Sequence, residues 1–168
     1  MGSRTPAVRE DAGECSEIVL SLGTSHPLYE VLGDDVAPKV NAPYAWLIRI
    51  PDLVAFLRHV RPALEARLES SAFAAFSGSV EIDLYREGLR MEIERGRIVS
   101  IEPRRAPIPE EDSTAMGCPP LTFVQLVLGW RSIEELTALF PDVWHSSDKR
   151  FLIDTLFPKL PSHVEPLA

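Results

Sequence analysis

The sequence predicts a single α+β domain in which an antiparallel sheet is covered by amphipathic helices. Two patterns within its 168 residues support this prediction. Residues 77–103 alternate between apolar and polar side chains, which is the period of a β-strand. Residues 53–68 instead repeat apolar side chains at intervals of three and four, which is the period of a helix. A chain of this length buries enough apolar surface to fold without the support of disulfides or metal ions.

The predicted sheet is an antiparallel meander of three strands. Glu87-Gly88 and Arg95-Gly96 lie at its two reversals, where glycine supplies the conformations that tight turns need. One face is apolar and the other polar, with Val80, Ile82, Leu84, Leu89, Met91 and Ile93 alternating with Glu81, Asp83, Tyr85, Arg90, Glu92 and Glu94. The apolar face needs a cover, and the helix that precedes the meander is expected to provide it.

That helix is predicted to begin at Pro51-Asp52 and to run for about eighteen residues. Its apolar stripe is formed by Leu53, Leu57, Val60, Leu64 and Leu68. Pro62 lies inside the pattern. It is expected to kink the helix or to split it, because proline cannot donate to the helical hydrogen-bond ladder.

The elements before and after the helix and the meander are predicted from residue composition and from helix-capping residues. Residues 44–50, between two prolines, indicate a first strand. Residues 104–120 indicate a polar loop, and short helices are expected at residues 121–128, 132–140 and 150–157. Ser132 and Glu135 predict a capping box for the second of these. The domain is therefore expected over residues 44–168, after a tail (1–25) and a linker-like arm (26–43).

The bulk properties exclude several classes of partner. A net charge of −8 disfavours nucleic acid and anionic membrane surfaces, because both would be repelled. No apolar run reaches the ~20 residues of a membrane span, so no membrane insertion is expected. Cys15 and Cys118 are interpreted as a reduced pair, and residues 1–11 lack the apolar core of a secretory signal. These features predict a cytoplasmic protein.

No complete catalytic or metal-binding arrangement is predicted. The histidines have no partner at zinc-ligand spacing, and the two cysteines lie far apart. The carboxylates of the meander could in principle do acid–base chemistry. Strict alternation instead indicates that the solvent-exposed face of the sheet carries Glu81, Asp83, Glu92 and Glu94, with Arg90 available as a partner.

Aromatic side chains lie on the strand and helices that must pack together. They are expected to form a solid core or, alternatively, a hydrophobic tunnel between the sheet and the short helices, since ligand pockets are concave and mostly apolar. Periodicity does not separate these two cases. If a cavity exists, its predicted wall is Trp46, Phe56, Phe123, Leu126, Trp130 and Phe140.

An ordered set of segments resembles a known family. The set comprises residues 43–53, 85–89, 94–97, 121–136, 140–142 and 156–164, with His26-Pro27-Leu28-Tyr29 similar to a linker segment. Together these segments resemble the C-terminal, sterol-carrier-protein-like domain of bacterial GNAT-type N-acetyltransferases, which are relatives of the enhanced-intracellular-survival proteins. The resemblance covers about residues 26–168.

The resemblance implies a mixed or antiparallel sheet of about five strands, covered on one face by helices. It also implies a non-catalytic accessory domain that packs on an acetyltransferase domain, in cis or in trans, and helps homo-oligomers to assemble. The acetyl-CoA loop of such enzymes is absent: Gln125 has its glycine one position too late. Acetyl-CoA is therefore expected only if an acetyltransferase domain is present elsewhere, because the pyrophosphate would otherwise lack its backbone N–H groups.

Three hypotheses of function remain at this point. The first is the accessory domain just described. The second is a free-standing module that binds a lipid or acyl chain between sheet and helices, as lipid-transfer members of the wider fold do. The third is a small enzyme with an unrecognised site, which ranks last because no nucleophile, base and orienting group occur together.

Overall fold

The computed structural model describes residues 26–33, 47–105 and 114–161. The chain divides into two compact units, one formed by Met1–Asn41 with Glu165–Ala168 and the other by Ala42–Val164. The described part of the first unit contains one short helix, α1 (Leu28–Leu32), with no buried residue. Every element below belongs to the second unit.

The second unit confirms the α+β class. Its described elements are, in chain order, α2 (Leu53–Glu69), β1 (Gly78–Asp83), β2 (Glu87–Glu94), β3 (Arg97–Arg105), β4 (Thr114–Gly117), α3 (Pro120–Val127), α4 (Ile133–Leu139), β5 (Trp144–His145) and α5 (Arg150–Leu156). None of the helices in the described ranges combines the length and the apolar character of a membrane span.

The sheet is mixed and has five strands in the order β3-β2-β1-β4-β5. The pairs β1–β2 and β2–β3 are antiparallel, which confirms the predicted meander. The first reversal was predicted at Glu87-Gly88, which is wrong, because both residues begin β2 and the turn lies before them at residues 84–86. Arg95 and Gly96 both have positive φ, 48° and 74°, the conformation that a two-residue hairpin turn requires. β4 then lies parallel to β1, and β5 pairs with β4 in the antiparallel sense.

Helix α2 covers the apolar face of the meander as predicted. Asp52 caps it by accepting a hydrogen bond from the Ala55 N–H at 2.8 Å, and Leu57, Leu64 and Leu68 are buried in the core. Of the two effects predicted for Pro62, a kink or a split, the split is wrong, because the helix runs unbroken from Leu53 to Glu69. Buried leucines before and after the proline anchor both halves to one core, and this packing outweighs the lost hydrogen bond.

Helix α2 also shields the outer edge of β3. The Arg58 guanidinium donates to the Ile101 carbonyl through Nε at 2.9 Å and Nη2 at 2.6 Å. The Ile98 N–H donates to Glu65 Oε1 at 2.9 Å, and Pro103 has no N–H. These contacts occupy backbone groups that would otherwise be open to another strand.

Two predictions of local structure are wrong. The expected loop over residues 104–120 contains β4, whose four residues are all buried. A strand buried on both faces shows no polar–apolar alternation, so its period is not visible. The expected strand over residues 44–50 is not formed at Leu47–Ile50. Leu47 is 87% exposed. Residues with a high β-propensity form a strand only where a neighbouring strand is available for pairing, and composition does not show this.

Candidate functional site

Among the residues that the structure describes, a surface groove lies between the α3–α4 turn and the segment that follows α5. It is open to solvent, has a volume of about 400 Å³, and is lined by Trp130, Arg131, Glu135, Lys159, Leu160 and Pro161. Its shape arises from the way α3 ends and from the return of the chain after α5.

Helix α3 ends in a Schellman motif centred on Gly129. The Trp130 N–H donates to the Gln125 carbonyl and the Gly129 N–H to the Leu126 carbonyl, both at 2.9 Å, with Gly129 at φ 70°. This hydrogen-bond pattern satisfies carbonyls that the helix end leaves unpaired. It also fixes the backbone from which Trp130 and Arg131 project.

The segment after α5 returns to this turn and forms the opposite wall. The Leu160 N–H donates to the Gly129 carbonyl at 2.9 Å. A Cβ atom at Gly129 would lie 3.0 Å from Leu160 Cβ and 3.2 Å from the Pro158 carbonyl oxygen. Glycine is thus required here both by the left-handed backbone and by the close approach of the returning chain.

Glu135 connects the two walls. Its Oε2 accepts the Ser132 N–H at 3.0 Å within the predicted capping box, which is confirmed. Its Oε1 accepts a hydrogen bond from Lys159 Nζ at 2.5 Å. The bond from Lys159 and then the bond from the Ser132 N–H lower the pKa of the Glu135 carboxyl. Arg131 Nε, by contrast, is buried and has no hydrogen-bond partner in the described part of the chain.

A second polar cluster lies on the face of the sheet opposite the one that packs against the core. Glu81 is fully buried, and its Oε1 lies 3.1 Å from Arg90 Nη1 and 3.5 Å from Arg104 Nη2. Its Oε2 is buried and has no partner among the residues that the structure describes. The expectation that Glu81 faces water is therefore wrong, whereas the expected pairing with Arg90 is confirmed.

A third cluster surrounds Tyr85 at the β1–β2 turn. Tyr85 has φ 69°, an uncommon conformation for a bulky residue. Its N–H donates to Asp83 Oδ1 at 2.7 Å and its hydroxyl donates to the Asp142 carbonyl oxygen. Burial and then the Asp142 charge raise the pKa of the phenol. These contacts join the turn to the segment before β5.

Cys118 lies near this cluster and is fully buried with a free thiol. Burial, followed by the charges of Asp142 and Asp83, raises the pKa of the thiol to about 12. A thiol with such a pKa is not ionised near neutral pH and is a poor nucleophile. No group of histidine, cysteine, aspartate and glutamate within the described ranges is suited to hold a metal ion.

The five described residues of the predicted cavity wall are not found in one place. Phe123 and Leu126 are fully buried in the core, and the Phe123 ring packs edge-to-face on Phe157 at 5.6 Å between centroids. Phe56 and Phe140 are partly buried against the same core. Trp130 is 51% exposed and lines the surface groove, and Trp46 lies outside the described residues.

Comparison with known proteins assigns no relative to this chain: no family model matches it, and no curated protein or solved structure matches it significantly.

The groove was not predicted from the sequence. Gly129 and Ser132 are visible as the end of one helix and the start of the next, so the exposure of the two residues between them could have been anticipated. Nothing in the order of residues shows that Lys159–Pro161 return to the same turn. That contact depends on how α5 packs.

Proposed function

We propose that this chain is a non-catalytic accessory domain of a GNAT-type N-acetyltransferase, with a sterol-carrier-protein-like fold. It packs against the acetyltransferase domain, in the same chain or in a partner, and contributes to oligomer assembly. The resemblance over residues 26–168 motivates this proposal. The order of elements supports it, since a long helix, a meander and then short helices occur along the chain as the resemblance implies.

The observation that carries the proposal is the packing between sheet and helices. Phe123, Leu126 and Phe157 are each at most 1% exposed, and they belong to the same core cluster as the inward side chains of α2 and the sheet. The rings of Phe123 and Phe157 are in edge-to-face contact at this position, and such direct contact favours a packed module over an open tunnel.

The acyl-chain alternative has less support for the same reason. Only Trp130 of the expected wall lines the described groove, and the rest of that lining includes Arg131, Glu135 and Lys159. An acyl chain gains little from charged walls, because the hydrophobic effect depends on the apolar area removed from water.

The test of the accessory role uses the acetyltransferase encoded in the same reading frame or beside it. The chain alone should leave acetyl-CoA unconsumed, the acetyltransferase domain should consume it, and the two should sediment as one complex of fixed stoichiometry. Turnover of acetyl-CoA by this chain alone would overturn the proposal. So would the absence of any acetyltransferase in the frame and its neighbourhood.

A second measurement separates the two functions. Native mass spectrometry of protein purified from cells should show the mass of the chain without an added lipid, and a fluorescent fatty acid should not bind stoichiometrically. Stoichiometric copurification of an acyl lipid would favour the lipid-binding module instead.

A further inference from the structure

The groove combines exposed apolar surface with cationic groups. Trp130 and Leu160 are 51% and 44% exposed. Their backbones are held by hydrogen bonds from the Trp130 N–H to Gln125 and from the Leu160 N–H to Gly129. A surface whose backbone is already ordered loses less conformational entropy when it binds a partner.

The charges of the groove are not balanced. Arg131 and Lys159 carry positive charge, and Glu135 is the one carboxylate among the lining residues. Glu135 is already satisfied within the chain, because one oxygen accepts the Ser132 N–H and the other accepts Lys159. The local positive charge contrasts with the net charge of −8 of the whole chain.

Arg131 is the cation of the groove for which the described residues supply no side-chain hydrogen bond, although its charge also helps to lower the pKa of Glu135. Its Nε is buried and unpaired among the described residues. A buried donor without a partner costs free energy, whereas a guanidinium–carboxylate hydrogen bond is among the strongest that proteins make. A carboxylate that enters the groove would lie close to the Arg131 guanidinium and to the ammonium group of Lys159, since both side chains line it.

We propose that the groove binds an acidic peptide segment of a partner protein. A carboxylate of the segment pairs with Arg131, and a neighbouring apolar side chain packs on Trp130 and Leu160. The volume of about 400 Å³ lies within the range of small-ligand sites. The apolar lining distinguishes such a segment from a small inorganic anion.

This inference does not depend on the acetyltransferase assignment, because any partner protein that presents such a segment would fit. The probe is a short fluorescein-labelled peptide of alternating leucine and glutamate, measured by fluorescence anisotropy against the same peptide with glutamine in place of glutamate. The glutamate peptide should bind about tenfold more tightly than the glutamine peptide, since charge-assisted bonds are roughly twice as strong as neutral ones. Added salt should weaken this preference.

Variants locate the site. Arg131→Gln should abolish the preference for glutamate, and Trp130→Ala should weaken both peptides. Arg61→Gln, at an exposed arginine of α2, should change neither, and thermal unfolding checks that each variant is folded. Equal affinity for the two peptides would overturn the proposal, as would a glutamate preference that survives Arg131→Gln. Displacement of the glutamate peptide by an equal concentration of sodium acetate would also overturn it, because the apolar contact would then contribute nothing.

Discussion

Both faces of β1 carry fully buried side chains, but the two faces exclude water in different ways. On one face Val80 and Ile82 are fully buried against the core. On the other face Glu81 is just as buried, but two arginines lie within 3.5 Å of one of its oxygens. Alternation in a strand identifies the residues that share a face. It does not show whether that face is exposed to water.

The difference matters because burial of the apolar side chains and burial of the carboxylate contribute to the folding free energy with opposite signs. Burying Val80 or Ile82 is favourable by itself, since apolar area leaves water. Burying Glu81 is unfavourable by itself and is tolerated only with partners. The apolar face therefore stabilises the domain, while the charged face constrains which strands lie side by side, because Arg90 and Arg104 come from β2 and β3.

The largest effect is expected on the apolar side. Leu126→Ala should destabilise the domain by about 3–4 kcal/mol, because the fully buried side chain leaves a cavity that the core fills only in part. Leu121→Ala is the matched control on the same helix, where the side chain is 53% exposed, and should cost less than about 0.5–1 kcal/mol. Urea unfolding of both variants measures the difference. Equal losses would contradict the assignment of the buried face of α3.

A smaller loss is expected at the buried carboxylate. Glu81→Ala should cost about 2–3 kcal/mol, because it removes the partner of two arginines. The arginine side chains are each 36% exposed, so they regain water and the loss stays below that of a fully buried pair. Glu92→Ala, at a carboxylate that pairs with Arg90 and is also 36% exposed, should cost less than about 1 kcal/mol. Similar losses from the two variants would mean that Glu81 is hydrated.

The shielded edge of β3 offers a third test. Arg58→Met keeps the aliphatic stem but removes both hydrogen bonds to the Ile101 carbonyl, so it should cost about 1 kcal/mol. It should also favour association through the exposed strand edge. Sedimentation velocity at increasing concentration measures this association, with Arg61→Met as the control on the same helix. Unchanged sedimentation would show that Pro103 and Glu65 protect the edge without Arg58.

The smallest effect concerns an ionisable group that burial keeps neutral. The Cys118 thiol has a pKa of about 12 in the folded chain, above the value of ~8.5 in an unfolded chain. The stability associated with the neutral thiol is complete below the unfolded pKa and is lost as the pH rises through the window between the two values.

In a Cys15→Ser background, the free energy of unfolding should therefore fall by about 1 kcal/mol between neutral pH and about pH 9.5. Adding Cys118→Ala should remove that part of the pH dependence. A thiol reagent at neutral pH should label Cys118 only after unfolding. Rapid labelling of the native protein would contradict the burial of this thiol.

Much of the meander and of the first helix could be predicted because their signals are local. The alternation from Val80 to Glu94 follows from the geometry of one strand beside the next, and the stripe from Leu53 to Leu68 follows from the helical repeat. Ser132 and Glu135 predicted their capping box because both partners lie within one turn.

The candidate site could be predicted less well because its parts are distant in sequence. Trp130 was grouped with Phe123 as cavity wall, but the Schellman turn at Gly129 directs the chain away from the core, and Trp130 is half exposed. Lys159 reaches Glu135 from twenty-four positions away. No periodicity encodes such a contact.

By itself, the sequence determined the α+β class, the meander and the helix that covers it, because these depend on side-chain period and on caps within one turn. Only the tertiary structure decided that β4 lies beside β1, that Glu81 is buried, and that the chain after α5 forms a groove with Trp130. Each of these depends on which distant segments meet, and long-range packing rather than local pattern selects those contacts.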